Sequence, residues 1–491
     1  MATAYITFGK SESPSVEELS GGMPVQVNAV VDATGAIRVR PGIAAWSGFP
    51  ATTPTPVGAA STYTAPVIGM VSWNGYLIYV TGDTSNPGRN IYVVSAGVAT
   101  SLSYILSSSF LGGALRPVFA ATRPRVLISG GGIILKWEGT IPEAFSLANL
   151  ATGLGLSVAV SHIATISQRI VANAADPSGL IYWSDIGDTG AGNWQTGLNF
   201  LEAETKQDPV IGLYENTNEL VALGTETVQM FAPDPSVTFS TSRTMEFGWG
   251  PAHSYVPLDE KFMGLDSRRR IMVSNGRSFE PVSTPMIGKQ LEDMTTVADC
   301  WGARYKWQNY DMALWNFPTD GRFFAFETLS QNWSEWKTKD TSRGGLKGLD
   351  ITACYFNAAT NETLVGLSTG RIAKFDPTAT TDLGNPITLT IISSFEDHGE
   401  SRSKKCNGVF VKFRRGILSD QTSAKVELSY RDDTGEYQEP YRIDVSDASD
   451  TDPVFRIRTL GTYRTRQWRI TSDSVALSFV SLQEDYTVLD T

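Results

Sequence analysis

The chain has 491 residues, enough for a large buried core or for several domains of ordinary size. Only 19% of it is charged, 10% is aromatic and the formal net charge is −11, which excludes a highly charged disordered chain and a basic coat for nucleic acid. Three widely spaced cysteines, Cys300, Cys354 and Cys406, form no C-x-x-C pair, which excludes a disulfide framework and a cysteine zinc site.

Residues 1–50 come first in chain order. MATAYITFGK has neither the basic start nor the apolar core of a secretory signal, and no apolar run reaches the roughly 18 residues of a membrane helix. The expectation is a soluble, unprocessed chain that folds with reduced thiols. VQVNAVVDATGAIRVRPGI, from Val25, reads as two strands around a turn from Asp32 to Gly35, followed by the Pro41-Gly42 turn. Two strands are too few to stand alone, so this segment is expected to pack on a C-terminal domain.

From residue 51 to about 380 one phrase keeps returning. GRNIYVV starts at Gly88, GIILKW at Gly132, GLIYWS at Gly179, ETVQMF at Glu226, GRSFEPV at Gly276, GRFFAF at Gly321 and GRIAKF at Gly370. The steps are 44, 47, 47, 50, 45 and 49 residues. Before each copy stands a short apolar run and a tight turn, as in RVLISGG, ELVALGT and TLVGLST. Apolar run, turn and alternating strand are the signature of a β-hairpin. A hairpin repeated every 45 to 50 residues is what the four-stranded blades of a β-propeller produce. Six or seven blades are expected, with Trp137, Trp183, Phe231, Phe326 and Phe375 anchoring apolar cores.

Beyond residue 380 the period stops. VFVKFRRGI, AKVELSYRD, YQEPYRIDV, VFRIRTL, RQWRITS and ALSFVSL give about six alternating strands, which predict a β-sandwich-like domain over 381–491, completed by the N-terminal segment. The fold class is therefore all-β. PEAFSLANLA and MTTVADCWGARY are the only short helical candidates.

Motifs for chemistry are sparse. His162, His253 and His398 are the only histidines, none at metal-ligand spacing, and no nucleophile elbow, phosphate loop or calcium loop is present. In SDIGDTGAGNW, Asp185, Asp188 and Trp194 resemble the acidic turns of sialidase-type propellers, but the spacing is two residues too long and the motif occurs once, so a structural turn is the expectation. No enzyme activity, cofactor or metal is predicted. Basic residues gather late in the chain: Arg402, Lys404, Lys405, then Lys412, Arg414, Arg415, then Arg456, Arg458, Arg464, Arg466 and Arg469, of which Arg402, Lys404, Lys405, Lys412, Arg414, Arg415, Arg456 and Arg458 are the candidate partner-facing residues. Lys412 and Arg414 alternate with Val411 and Phe413, which puts the charges on one strand face and the apolar pair on the other. A solvated strand face and a contact with an acidic partner or a DNA phosphate both fit this pattern. Over residues 385–491, 14 Lys and Arg stand against 17 Asp and Glu, a net of −3.

Five stretches in order carry a resemblance. They are IRVRPGI near residue 40, IYWSDIGD and its following Trp at 181–194, ELVALGTETVQMF at 219–231, GWGPAHSYVPLDEKFMGLDSRRRIMVSNG at 248–276 and QNWSEW at 331–336. The chain resembles the tail hub or nozzle proteins of short-tailed bacteriophages, also called packaged-DNA stabilisation proteins. The resemblance implies a structural virion protein with a propeller-like body, made in the host cytoplasm. It implies a homohexameric ring below the portal and adaptor that retains packaged DNA, passes double-stranded DNA without sequence specificity, and anchors a fibre, spike or needle. The rival reading is a glycan-binding or glycan-degrading propeller, which would be a monomer or trimer rather than a hexamer.

Overall fold

The computed structural model describes residues 2–6, 8, 25–32, 35–48, 65–83, 86–95, 98–100, 116–123, 125–130, 134–137, 160–174, 179–186, 200–203, 208–275, 278–308, 310–340, 345–357, 360–415, 425–433, 435–445, 453–458, 460–473 and 477–489. These residues are mostly in strands, with 3% helix. The repeated hairpins have a local cause. Trp73 faces Tyr76, Ile166 faces Arg169 and Asn216 faces Glu219, each across a two-residue turn. Both turn residues have positive φ: Asn74 and Gly75, Ser167 and Gln168, Thr217 and Asn218. That geometry matches the twist of the paired strands. At Gly321 and Gly370, φ is +60° and +77°; at Gly321 nothing lies within 4 Å of an added Cβ, so backbone freedom rather than space explains that glycine.

Four of the resulting sheets are separate and four-stranded, over 67–100, 160–202, 210–245 and 256–281, and a fifth, over 118–137, has three described strands. These are β-propeller blades, and as discrete sheets they number five, not the expected six or seven. The last two phrases fall instead in units whose outer edges are taken up by strands from far away in the chain. In the 301–335 unit, Val27 pairs in parallel with Glu335, so the unit continues into a nine-stranded sheet. In the 351–376 unit, Gly42–Ala45 supplies the fourth strand against Ile372–Asp376, within a six-stranded sheet. Apolar clusters join neighbours around the circle. Val126, Ile128 and Trp137 meet Trp73, Ile78 and Val93, while Leu364 and Ile372 pack back on Val67, Met70 and Tyr79. Gly366 makes that last approach possible, since a Cβ there would come within 2.6 Å of the Val67 Cβ.

Six of the seven phrases lie in the third strand of their unit; GRSFEPV, which contains a proline, lies in the fourth, Phe279–Pro281. Trp137, Trp183, Phe231, Phe326 and Phe375 are all buried, at 5% exposure or less. One of the two helical expectations was misplaced. MTTVADCWGARY is turn followed by the strand Trp301–Trp307, and PEAFSLANLA lies outside the described residues. Among the described residues the α-helix is Pro285–Glu292, opened by the Thr284 hydroxyl accepting from the Ile287 amide with proline in its first turn.

Residues 1–50 feed three different sheets. Ala2–Ile6, Ala29–Val31 and Ile37–Val39 join Lys404–Arg415, Leu477–Val488 and Val454–Arg458 in a seven-stranded sheet; Val25–Val27 links Asn332–Glu335 to Leu389–Glu396; and Gly42–Ala45 goes to the propeller. The seven-stranded sheet and the C-terminal strands of the nine-stranded sheet face each other across one core, with Val409, Val411, Phe413 and Leu482 on one side and Ile391, Leu428, Trp468 and Ile470 on the other. Arg40 ties the segments together. Its Nε donates to Asn28 Oδ1 at 2.9 Å, Nη1 to Pro41 O and Asp382 Oδ1 at 2.9 Å each, and Nη2 to Lys337 O at 2.9 Å and Asp382 Oδ2 at 2.5 Å. All five guanidinium N–H groups are used, and the residue is fully buried.

Candidate partner-facing site

Lys404–Arg415 is the central strand of the candidate site. Its inner face is Cys406, Val409, Val411 and Phe413, all buried in the shared core. A bulge between Cys406 and Gly408 and a second between Lys412 and Phe413 reset the alternation. As a result Lys405, Phe410, Lys412 and Arg414 share the outer face, opposite Thr487, Gln483, Ser481 and Ser478 on the next strand. On the other side Arg458 stands across from Gly408, Arg456 from Phe410 and Val454 from Lys412. The Arg456 guanidinium lies 4.9 Å from the Phe410 ring centroid.

The structure thus gathers Lys405, Lys412, Arg414, Arg456 and Arg458 on one sheet face. Lys404 is not among them. It is fully buried, and its Nζ donates to the carbonyls of Glu400, Arg402 and Arg464 at 2.5, 3.0 and 2.7 Å. Burial lowers its pKa, with Asp397 and Glu400 opposing. Its role is to hold a turn. Arg402 is exposed but lies in the preceding loop, ion-paired with Glu400 at 2.8 Å. That bond brings the Glu400 carboxyl down to about 2. The Arg415 side chain lies outside the described residues.

Three further residues of this face escaped the sequence reading. Phe410 lies on the outer face beside Lys412, Tyr5 sits on the neighbouring edge at 71% exposure, and Arg38 stands across from Ser478 with its guanidinium 4.1 Å from the Trp307 ring centroid. The alternation of Arg38 and Arg40 in IRVRPGI was a usable signal. Asp485 brings negative charge to the same face and accepts from Thr3 Oγ1 at 2.8 Å.

Side chains from different units also meet one another, some across units that are not neighbours. The Arg116 guanidinium lies 4.8 Å from the Trp301 ring centroid and donates to the Thr352 carbonyl. His162 stacks on His253 with ring centroids 5.1 Å apart, and Tyr214 stacks on Tyr255 at 4.0 Å. Burial brings His162 down to about 4, and burial, His162 and Arg116 together depress His253, so both rings are neutral at neutral pH. His398 is also structural, 3.0 Å from the Tyr463 hydroxyl and stacked on Tyr486. Of the acidic turn, Ser184 accepts from the Ile170 amide and donates to Asp185 O, as a turn residue does, while Asp188 and Trp194 lie outside the described residues. A groove of about 500 Å³ runs past Asp320, Arg322, Glu335, Lys337 and Asp350. Burial pushes Glu335 up, but Arg322 and Lys337 outweigh it and hold the carboxyl below its usual range.

Comparison with curated proteins gives no match. Among solved structures, the chain is similar to one in an S. cerevisiae complex of a Dbp5 variant with Nup159, a Gle1 variant, IP6 and ADP. Identity is 9%, coverage is 71% of this chain and 96% of that one, and the TM-score is 0.38. It is also similar to an Hsv2 chain from Kluyveromyces marxianus, at 9% identity, covering 54% of this chain and 81% of that one, with a TM-score of 0.30. The family model for bacteriophage P22 Gp10, β-propeller, matches residues 88–379, more than half of the sequence, and the chain therefore belongs to this family of phage tail proteins that stabilise packaged DNA.

Proposed function

We propose that the protein is one subunit of a homohexameric hub or nozzle ring in the tail of a short-tailed phage, made in the host cytoplasm and assembled into the virion below the portal and adaptor. The ring extends the DNA channel, retains packaged DNA and carries a fibre, spike or needle. In this reading residues 1–50 and 381–491, apart from Gly42–Ala45, act as a β-sandwich-like docking unit and 51–380 as the propeller body. Its role is structural, without catalysis. The family match carries the proposal.

Two features support the finer assignment. Arg116 meets Trp301 and His162 meets His253 across blades that are not neighbours, which supports a path for DNA between subunits rather than through one of them. The basic face of Lys405, Lys412, Arg414, Arg456 and Arg458 offers a surface for an adaptor or for phosphates. In a net acidic protein such a patch holds passing DNA loosely, as ejection requires. The glycan-degrading rival needs a carboxyl kept protonated near neutral pH, and Glu335 in the groove is shifted the other way.

The test is particle assembly with Lys412, Arg414, Arg456 and Arg458 all changed to Glu. A single exposed ion pair is worth only about 0–1 kcal/mol, but the four changes are repeated in every subunit. Filled heads that leak DNA or lack complete tails are expected. Tails that hold and eject DNA normally would remove this face from the function, and host-glycan hydrolysis by the purified chain would favour the rival.

A further inference from the structure

We infer, on the ring reading above, that the ring closes by strand addition: Ala2–Ile6 of one copy pairs with Val454–Arg458 of the next. Across the seven-stranded sheet the relevant order is Ala2–Ile6, Leu477–Val488, Lys404–Arg415, Val454–Arg458. Among the described residues each outer strand has a single neighbour, and its far edge pairs with no described strand. All three internal pairings are antiparallel. The first and fourth strands therefore run in opposite directions, and two copies in the same orientation meet edge to edge as an antiparallel pair.

The backbone of the Val454–Arg458 edge is poised for this. Phe413 N donates to Pro453 O at 3.1 Å, which places Pro453, Phe455 and Ile457 in the set bonded to Lys404–Arg415. By the alternation of antiparallel ladders, Val454, Arg456 and Arg458 turn their N–H and C=O groups away, toward the far edge. The side chains of the two edges are complementary as well. Tyr5 and Val454 are 71% and 56% exposed, an apolar surface at each edge. Arg456 and Arg458 stand on one edge; Thr3 and Tyr5, with Asp485 beside them, stand on the other. Pairing brings a guanidinium over the Tyr5 ring and toward the Asp485 carboxylate. Because different surfaces meet, the contact is head to tail, the kind that generates a closed ring. The pairing also carries the basic face of each copy into the next, forming a continuous belt of Lys412, Arg414, Arg456 and Arg458.

The experiment uses the full chain carrying Tyr5→Cys and Val454→Cys together, assembled and mildly oxidised, with mass measured under native conditions and on a non-reducing gel. With the half-buried Cys354 also changed to Ser, a covalent ladder ending at the copy number of the native ring is expected, and neither single variant should link on that background, since Cys300 and Cys406 are buried. A ring of normal native mass without a ladder overturns the inference and leaves the ring reading intact. A chain that stays single in solution and in the particle overturns both. Linking by Tyr5→Cys alone would mean a two-fold contact and would also overturn it. Arg456→Pro gives an independent arm, because it removes an outward N–H and no internal bond. The variant should melt at the wild-type temperature yet fail to hold the ring, and a ring of unchanged stability would contradict strand addition.

Discussion

The five discrete blades and the fused end of the molecule are both antiparallel β-structure, yet they are held together differently. In the blades, partners are close in sequence: Trp73 faces Tyr76, and the cluster of Ile78, Val93, Val126 and Trp137 is wholly apolar. In the fused end, partners are hundreds of residues apart. Val27 reaches Glu335, Ala45 reaches Ala373, and buried charges secure the joints. Arg40 meets Asp382, and Arg466 meets Asp432 through two bonds of 2.6 and 2.9 Å while its guanidinium lies 4.1 Å from the Tyr463 ring centroid. Local hairpins make a repeat that can be copied. Long-range pairs fix where the copies stop and what is attached to them.

The largest effect expected from a single substitution is at the fused end. Arg40→Ala leaves Asp382 buried without its partner and strips Asn28 and Lys337 of a donor, at a cost of about 3–5 kcal/mol. Arg40→Lys should recover little, since a lysine cannot fill five positions in one plane. Denaturant unfolding measures both, and a loss below about 1 kcal/mol would show that the joint is secured elsewhere.

Next in size is an acid response from the buried His162. The folded pKa of His162, about 4, lies below the unfolded value of 6.5. The unfolded chain therefore binds the extra proton between those values, and stability is fully present above pH 6.5 and lost as pH falls toward 4. His253, Arg116 and Tyr214 face or neighbour the ring, and His253 is itself depressed by burial, His162 and Arg116, so it contributes in the same direction. The loss amounts to about 3 kcal/mol for the single group. His162→Gln should flatten the pH dependence by that amount, and an unchanged profile would assign the acid response to other groups. Smallest is a blade substitution: Ile78→Val should cost about 1 kcal/mol, and hydrogen exchange should confine its effect to the first two blades. Equal loosening of the Lys404–Arg415 sheet would mean that the two regions unfold together.

What was legible in the sequence follows the same division. The phrases located a strand in every unit because a hairpin is encoded within about ten residues, and Trp137, Trp183, Phe231, Phe326 and Phe375 are buried as expected. The number of discrete blades was not legible, because nothing near Gly321 or Gly370 announces that Val25–Val27 will extend the first of those units and Gly42–Ala45 complete the second. At the basic face, alternation correctly placed Lys412 and Arg414 outward. It failed at Lys404, whose burial depends on three carbonyls brought in from Glu400, Arg402 and Arg464, and on a bulge that only pairing reveals. The helix Pro285–Glu292 has a start signal in Thr284-Pro285, but at eight residues it is too short to show a clear helical period.

The most direct test of the central claim is an image reconstruction of the tail in assembled particles. The account predicts six copies of this chain in a ring below the adaptor, with the face of Phe410, Lys412, Arg414, Arg456 and Arg458 turned to the adaptor or the DNA path. A tail that lacks this chain, or that carries it as single copies with that face in solvent, would contradict it.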